Sequence, residues 1–167
     1  MIEIKTSDIK GTPVIYLQSD ERAGFAKEAV FTDNKKVSGF TVEMDGITFG
    51  KKYISMDDIL RMDNDSILIF NEHSIKRLPH KMRQKNTGSG CGQPFIGEKV
   101  QSRNGKDLGK VKDLVFNSET GFIEGFELSR GLLEDVVDGR NVIMMRDGVE
   151  FAEEFIVAEG GEYFEKK

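Results

Sequence analysis

The sequence predicts an all-β protein built from one small sandwich or barrel written twice, with a basic linker between the copies. Three observations predict it. One pattern recurs: GFAKEAVFTDNKKVSGF, Gly24 to Phe40, returns as GKVKDLVFNSETGFIEGF, Gly109 to Phe126, with one residue more in the turn. Apolar residues alternate, at Phe40, Val42 and Met44 and again around Ile123, Phe126 and Leu128, which marks half-buried strands rather than an amphipathic helix. Turn signals separate short strands at intervals of about ten residues, the rhythm of a sandwich or barrel.

The elements can be followed in both copies at once. Gly11-Thr12-Pro13-Val14 opens the first, and Gly97-Glu98-Lys99-Val100 opens the second at an offset of 86. Asn104-Gly105 supplies a turn before Gly109, the partner of Gly24. Val30-Phe31 then matches Val115-Phe116 at an offset of 85, and Gly39-Phe40 matches Gly125-Phe126 at 86. Between these pairs, Asn117-Ser118-Glu119-Thr120-Gly121 reads as a longer turn joining two strands. The strand Phe40–Met44 is followed by Asp45-Gly46 and Ile47-Thr48-Phe49, a hairpin signal because Asp-Gly accepts the positive φ of a type I′ turn. Ile54 and Met56 match Ile143 and Met145, and Ile67-Leu68 matches Ile156-Val157, at an offset of 89. The segment Gly131 to Gly139 is three residues longer than its counterpart and is expected to form a helical turn. The offset drifts only in turns, as duplication of a folded unit leaves it, because loops accept insertions that core positions do not. The recurrent glycines mark bends or bulges where a small sheet curls.

Charge divides the chain at the same places. Residues 1–72 carry 9 Lys/Arg against 13 Asp/Glu, residues 73–94 carry 5 against 0, and residues 95–167 carry 10 against 16, within a net charge of −5. The middle segment, HSIKRLPHKMRQKNTGSGCGQP, has no apolar periodicity and ends in a glycine-rich run, so it reads as a flexible linker. The expected organisation is a first unit over 1–72, a linker over 73–94 and a second unit over 95–167.

Composition excludes several classes. The chain is 38% hydrophobic and 32% charged, with no apolar run near the roughly 18 residues of a membrane span. MIEIKTSDIK lacks an apolar signal core, and the one cysteine makes no internal disulfide, so a cytoplasmic, non-transmembrane protein is expected.

Gly97-x-x-Val100, Gly109-Lys-Val-Lys-Asp113-Leu-Val, Ile123-x-Gly125-Phe, Asp138-Gly-Arg140 and the late strand Phe155-Ile-Val together resemble the PRC-barrel domain. That family is named for the photosynthetic reaction-centre H subunit and also occurs at the C-terminal end of a ribosome-maturation factor. Gly24-Phe-Ala-Lys-Glu28-Ala-Val and Tyr53-Ile-Ser-Met-Asp-Asp58-Ile give the first copy the same likeness. Glu28 stands where Asp113 does, and the proline often found after the fourth strand's isoleucine is Ser55 in one copy and Met144 in the other. The resemblance implies two tandem PRC-type β-barrels in a bacterial or archaeal cytoplasm, serving as an adaptor that docks on other macromolecules.

Residues able to do chemistry are scarce and scattered. His73 and His80 lie in or beside the linker without a fixed partner, and Cys91 sits between glycines with nothing to lower its pKa. Neither Cys-x-x-Cys nor His-x-x-x-His spacing is present, and Asp63-Asn64-Asp65 lacks the glycine and closing glutamate of a calcium loop, reading instead as the turn before Ile67–Phe70. Asp57 and Asp58, adjacent on a strand, would face opposite ways. Gly88-Ser89-Gly90-Cys91-Gly92 lacks the strand and helix of a phosphate loop. No catalytic, cofactor or metal residue is assigned, and a non-enzyme is expected. Lys76, Arg77, Lys81, Arg83 and Lys85 are the candidate contacts for an anionic partner, a phosphate backbone or an anionic lipid surface. No aromatics are interleaved for base stacking and both flanking units are acidic, which favours a tether over RNA binding. The expected function is an adaptor contacting an unknown protein partner, with homodimerisation a competing use of the same apolar surface. The alternative is an accessory factor in RNA processing or ribosome maturation.

Overall fold

The computed structural model describes residues 2–31, 35–46, 50–79, 94–129 and 142–159. The fold is all-β with a curled half-barrel sheet, and helix among the described residues is confined to short 3-10 turns. The strands are β1 (Glu3–Lys5), β2 (Pro13–Tyr16), β3 (Arg22–Phe31), β4 (Val37–Met44), β5 (Lys52–Ser55), β6 (Ile59–Met62), β7 (Ile67–Ile69) and β8 (Lys76–Arg77). They continue as β9 (Lys99–Ser102), β10 (Asp107–Asn117), β11 (Ile123–Ser129), β12 (Val142–Met144), β13 (Val149–Phe151) and β14 (Phe155–Ala158).

One sheet has the order β6-β7-β2-β3-β4-β5-β8. The other has the order β12-β11-β10-β9-β14-β13, with β1 pairing β10 off this path. Read from the other end, the second order follows the first from β6 through β5, and β8 has no counterpart on that path. The registers agree as well. Val14 lies opposite Gly24 and Val100 opposite Gly109; Phe40 faces Ile54 and Phe126 faces Ile143. The parallel pair Val14–Ile67 is matched by Val100–Ile156. A register shift follows Gly24 towards Arg22 on β3 and Gly109 towards Asp107 on β10, so both long strands bulge at the same place.

Two compact units result: Met1–Pro94 with Phe116–Ile123, and Phe95–Val115 with Glu124–Lys167. The core of the first holds Val14, Phe40, Ile54, Ile67, Ile69 and Phe116, all essentially without solvent exposure. That of the second holds Val100, Leu108, Leu114, Phe126, Ile143 and Ile156. Apolar β-branched and aromatic residues on alternate positions of short strands supply these cores, as the pattern at Phe40 and Val42 and at Phe126 and Leu128 anticipates. The turn at Asn117 forms as expected: the Asn117 Oδ1 accepts from the N–H groups of Glu119 and Thr120 at 2.9 and 3.1 Å. Gly121 closes it at φ +78, and its carbonyl accepts from the Val37 N–H at 2.8 Å. A Cβ there would meet the Val37 carbonyl at 2.5 Å, so the position requires glycine.

The segment read as linker does not begin at residue 73. The Asn71 side chain accepts from the His73 N–H at 3.0 Å, β8 pairs with β5, and the Leu78 N–H donates to the Lys51 carbonyl at 3.0 Å. Leu78 is buried with Val30 and Tyr53, so the basic pair Lys76–Arg77 extends the sheet and Leu78 anchors it to the core. The partner of β4 after Asp45-Gly46 is β5, with Val42 opposite Lys52; the expected return strand at 47–49 falls outside the described residues. Asp57 and Asp58 stand on the 3-10 turn Met56–Asp58 rather than on a strand, because the Ser55 Oγ caps the Asp57 N–H at 3.3 Å. Residues 116–123, assigned by sequence to the second unit, count in the first. Residues 80–93 and the expected helical turn at 131–139 lie outside the described residues.

Candidate functional site

The sequence-predicted basic residues that are described, Lys76 and Arg77, sit on the edge strand β8 of the first unit. Arg77 lies opposite Lys52 and Lys76 opposite Tyr53 on β5. Lys76 donates to Asp58 at 3.3 Å, an exposed pair worth little to stability. Beside this edge, Lys27 and Glu28 form a bulge opposite Thr41, whose Oγ1 accepts from the Glu28 N–H at 3.2 Å. An open depression here is lined by Lys27, Glu28, Thr41, Val42, Glu43, Lys51 and Lys52, with Lys27 ion-paired to Glu43.

The fold therefore gathers Lys51, Lys52, Lys76 and Arg77 on one edge, with Lys27 nearby. Sequence reasoning missed Lys51 and Lys52, because only the long-range pairing of β8 with β5 brings them to Lys76 and Arg77. Lysine on an edge strand also blocks sheet-to-sheet aggregation, an architectural reason for the same residues. Cross-strand Lys52 and Arg77 repel each other, which an anion would relieve. Lys81, Arg83 and Lys85 lie outside the described residues.

Titratable groups elsewhere serve local structure. The Asp63 Oδ1 accepts from the Asp65 and Ser66 N–H groups at 2.9 and 3.0 Å, and these bonds hold its carboxyl below its ordinary range, as does Arg61. This is the turn that sequence reading placed before β7. Burial raises the Tyr16 phenol, with the charges of Glu72 and Glu21 adding to it. His73 is exposed, 3.9 Å from Glu72. Among the described residues, no group of three or more His, Cys, Asp and Glu side chains could hold a metal ion. His80 and Cys91 are outside them.

Large apolar side chains remain at the surface. Leu17, Leu60 and Phe70 of the first unit are 54%, 55% and 50% exposed. In the second unit Phe151 is half exposed and stacks on Phe95 at 5.1 Å, while Phe95 meets buried Phe126 edge-on at 5.5 Å. Phe95 holds φ at +67, a strained conformation for a bulky residue.

Against this geometry, residues 93–163 match the family model of the PRC-barrel domain. No curated protein matches the chain. Among the described residues, no helix is long and apolar enough to cross a membrane.

Proposed function

We propose that this protein is a non-catalytic binding module, a tandem pair of PRC-type barrels acting in the cytoplasm as an adaptor between macromolecules. The match to the second unit supports the domain type, and the shared strand order and registers support a duplication that makes the first unit its copy. The observation that carries the binding role is the set of half-exposed apolar side chains at Leu17, Leu60 and Phe70, since interfaces concentrate binding energy in a few apolar anchors that become buried.

A second reading, RNA or ribosome maturation, is favoured by the basic edge at Lys51, Lys52, Lys76 and Arg77, which Lys81, Arg83 and Lys85 follow closely in sequence. The two are separated by salt. Wild type and a variant neutralised at Lys81, Arg83 and Lys85 are titrated with a mixed-sequence single-stranded RNA across a salt series. The adaptor reading expects weak binding in both, with nearly equal salt dependence. If RNA is the ligand, the variant binds much more weakly, and the slope of log affinity against log salt falls by up to roughly two, at about 0.7 per lost phosphate contact.

A further inference from the structure

The outer face of the first sheet, where β2, β6 and β7 meet, is apolar in a way the fold does not require. Ile15 lies beside Leu68 in the parallel pair, and Arg61 of β6 lies opposite Leu68. The Leu17 N–H donates to the Ile69 carbonyl at 2.7 Å and the Gln18 N–H to the Phe70 carbonyl at 3.1 Å, which carries the pairing on to Leu17 and Phe70. Alternate positions, Val14, Ile67 and Ile69, fill the core, so Ile15, Leu17, Leu68 and Phe70 point the other way. Leu60 joins them from a register shift between Ile59 and Arg61.

The second unit shows that the same strands do not need this face. By register, Ile15, Leu17, Leu68 and Phe70 correspond to Gln101, Arg103, Val157 and Glu159, and Arg61 corresponds to Glu150. There the face is largely polar: Arg103 donates to Glu150 at 2.9 Å and also pairs with Glu159. A position that holds an ion-paired arginine in one unit and an exposed leucine in the other is not under a folding constraint to be apolar. The leucine, with Phe70 and Leu60, is then explained by a partner.

The rim identifies the partner's charge. Tyr16 is tied to the loop that follows it, its N–H donating to the Glu21 carbonyl and its carbonyl accepting from Asp20, which places Asp20 and Glu21 beside Leu17. Glu72 follows Phe70 by two residues and is 72% exposed, while the two arginines of the face are engaged within the chain: Arg61 is turned to Asp63 at 3.9 Å, and Arg22, opposite Ile15, is paired with Asp45 at 2.9 Å. A second copy would bring the same acidic rim against itself on a chain of net charge −5, and an anionic lipid surface would be repelled likewise.

We propose that this face docks a polypeptide segment that presents apolar anchors flanked by lysine or arginine. The proposal rests on the adaptor reading and names its surface and the partner's chemistry. The test uses the full-length, isotope-labelled protein and two ten-residue probes, one alternating leucine with lysine and one alternating leucine with glutamate. The lysine probe is expected to bind, shifting amide signals of β2, β6 and β7, and the glutamate probe to bind at least tenfold more weakly. Leu17→Ser with Phe70→Ser should weaken the lysine probe at least tenfold. Glu21→Lys with Glu72→Lys, which leaves the apolar side chains untouched, should abolish the preference between probes. Equal binding of both probes, shifts confined to other strands, or unchanged affinity in both variants overturns the proposal. So does a concentration-dependent dimer, or binding to phosphatidylglycerol vesicles, that the Leu17/Phe70 variant loses. If wild type captures a protein partner and this variant captures it equally, the adaptor reading stands and this face is not its site.

Discussion

Replacing Phe126 by alanine is expected to destabilise the protein by roughly 3–5 kcal/mol, the cost of deleting a fully buried aromatic ring. Phe126 has no solvent exposure, sits opposite Ile143 in the sheet, and packs edge-on against Phe95 at 5.5 Å and Phe151 at 6.2 Å. Phe116, equally buried, packs against Phe40 at 5.9 Å in the core of the first unit, so Phe116→Ala should cost about as much. Domains of this size have roughly 5–15 kcal/mol in total, and either change should lower Tm by on the order of 10 °C. Thermal melts of the two variants check this. Unchanged Tm in both would show that these strands do not face a core.

A second large effect is expected at Gly39 and Gly125, which stand at matched places in the two sheets. A Cβ on Gly125 would lie 2.6 Å from the Ile143 carbonyl and 2.7 Å from the Met144 sulfur. At Gly39 it would strike the Ile54 carbonyl, with the Tyr53 ring at 2.6 Å. Tyr53 cannot swing aside freely, because its hydroxyl donates to the Ser38 carbonyl at 2.8 Å. Alanine at either site must therefore push two paired strands apart, costing about 1–3 kcal/mol, and valine should cost more. Denaturant melts of Gly39→Ala and Gly125→Ala provide the measurement. Stabilities equal to wild type would mean that the close approach of the strands is absent in solution.

The matched registers of the two sheets were legible because their anchors are core residues and glycines whose places the sheet dictates. Val14 and Val100, Gly24 and Gly109, and Phe40 and Phe126 occupy equivalent registers, as their sequence offsets anticipate. The two-residue strand β8 was not legible, since so short a strand has no period, and its partner β5 lies far back in the chain. The assignment of residues 116–123 to the first unit was hidden for the same reason. It depends on backbone bonds from Val37 to Gly121 and from Ile123 to Lys35, which no local pattern announces. At the surface, the basic run was visible as composition, but the apolar face at Leu17, Leu60 and Phe70 was not. In and just after β7 the outward Leu68 and Phe70 alternate with the core residues Ile67 and Ile69, so Ile67-Leu68-Ile69-Phe70 reads as one apolar run with no indication of which side is covered.

The adaptor reading is tested most directly by capture of partners from native lysate on the full-length protein, with and without nuclease and across a salt series. The account predicts that a protein partner is retained after nuclease treatment, that Leu17→Ser with Phe70→Ser releases it, and that neutralising Lys81, Arg83 and Lys85 does not. Capture that nuclease abolishes, with a steep salt slope lost in the Lys81/Arg83/Lys85 variant, would contradict it and make RNA the ligand.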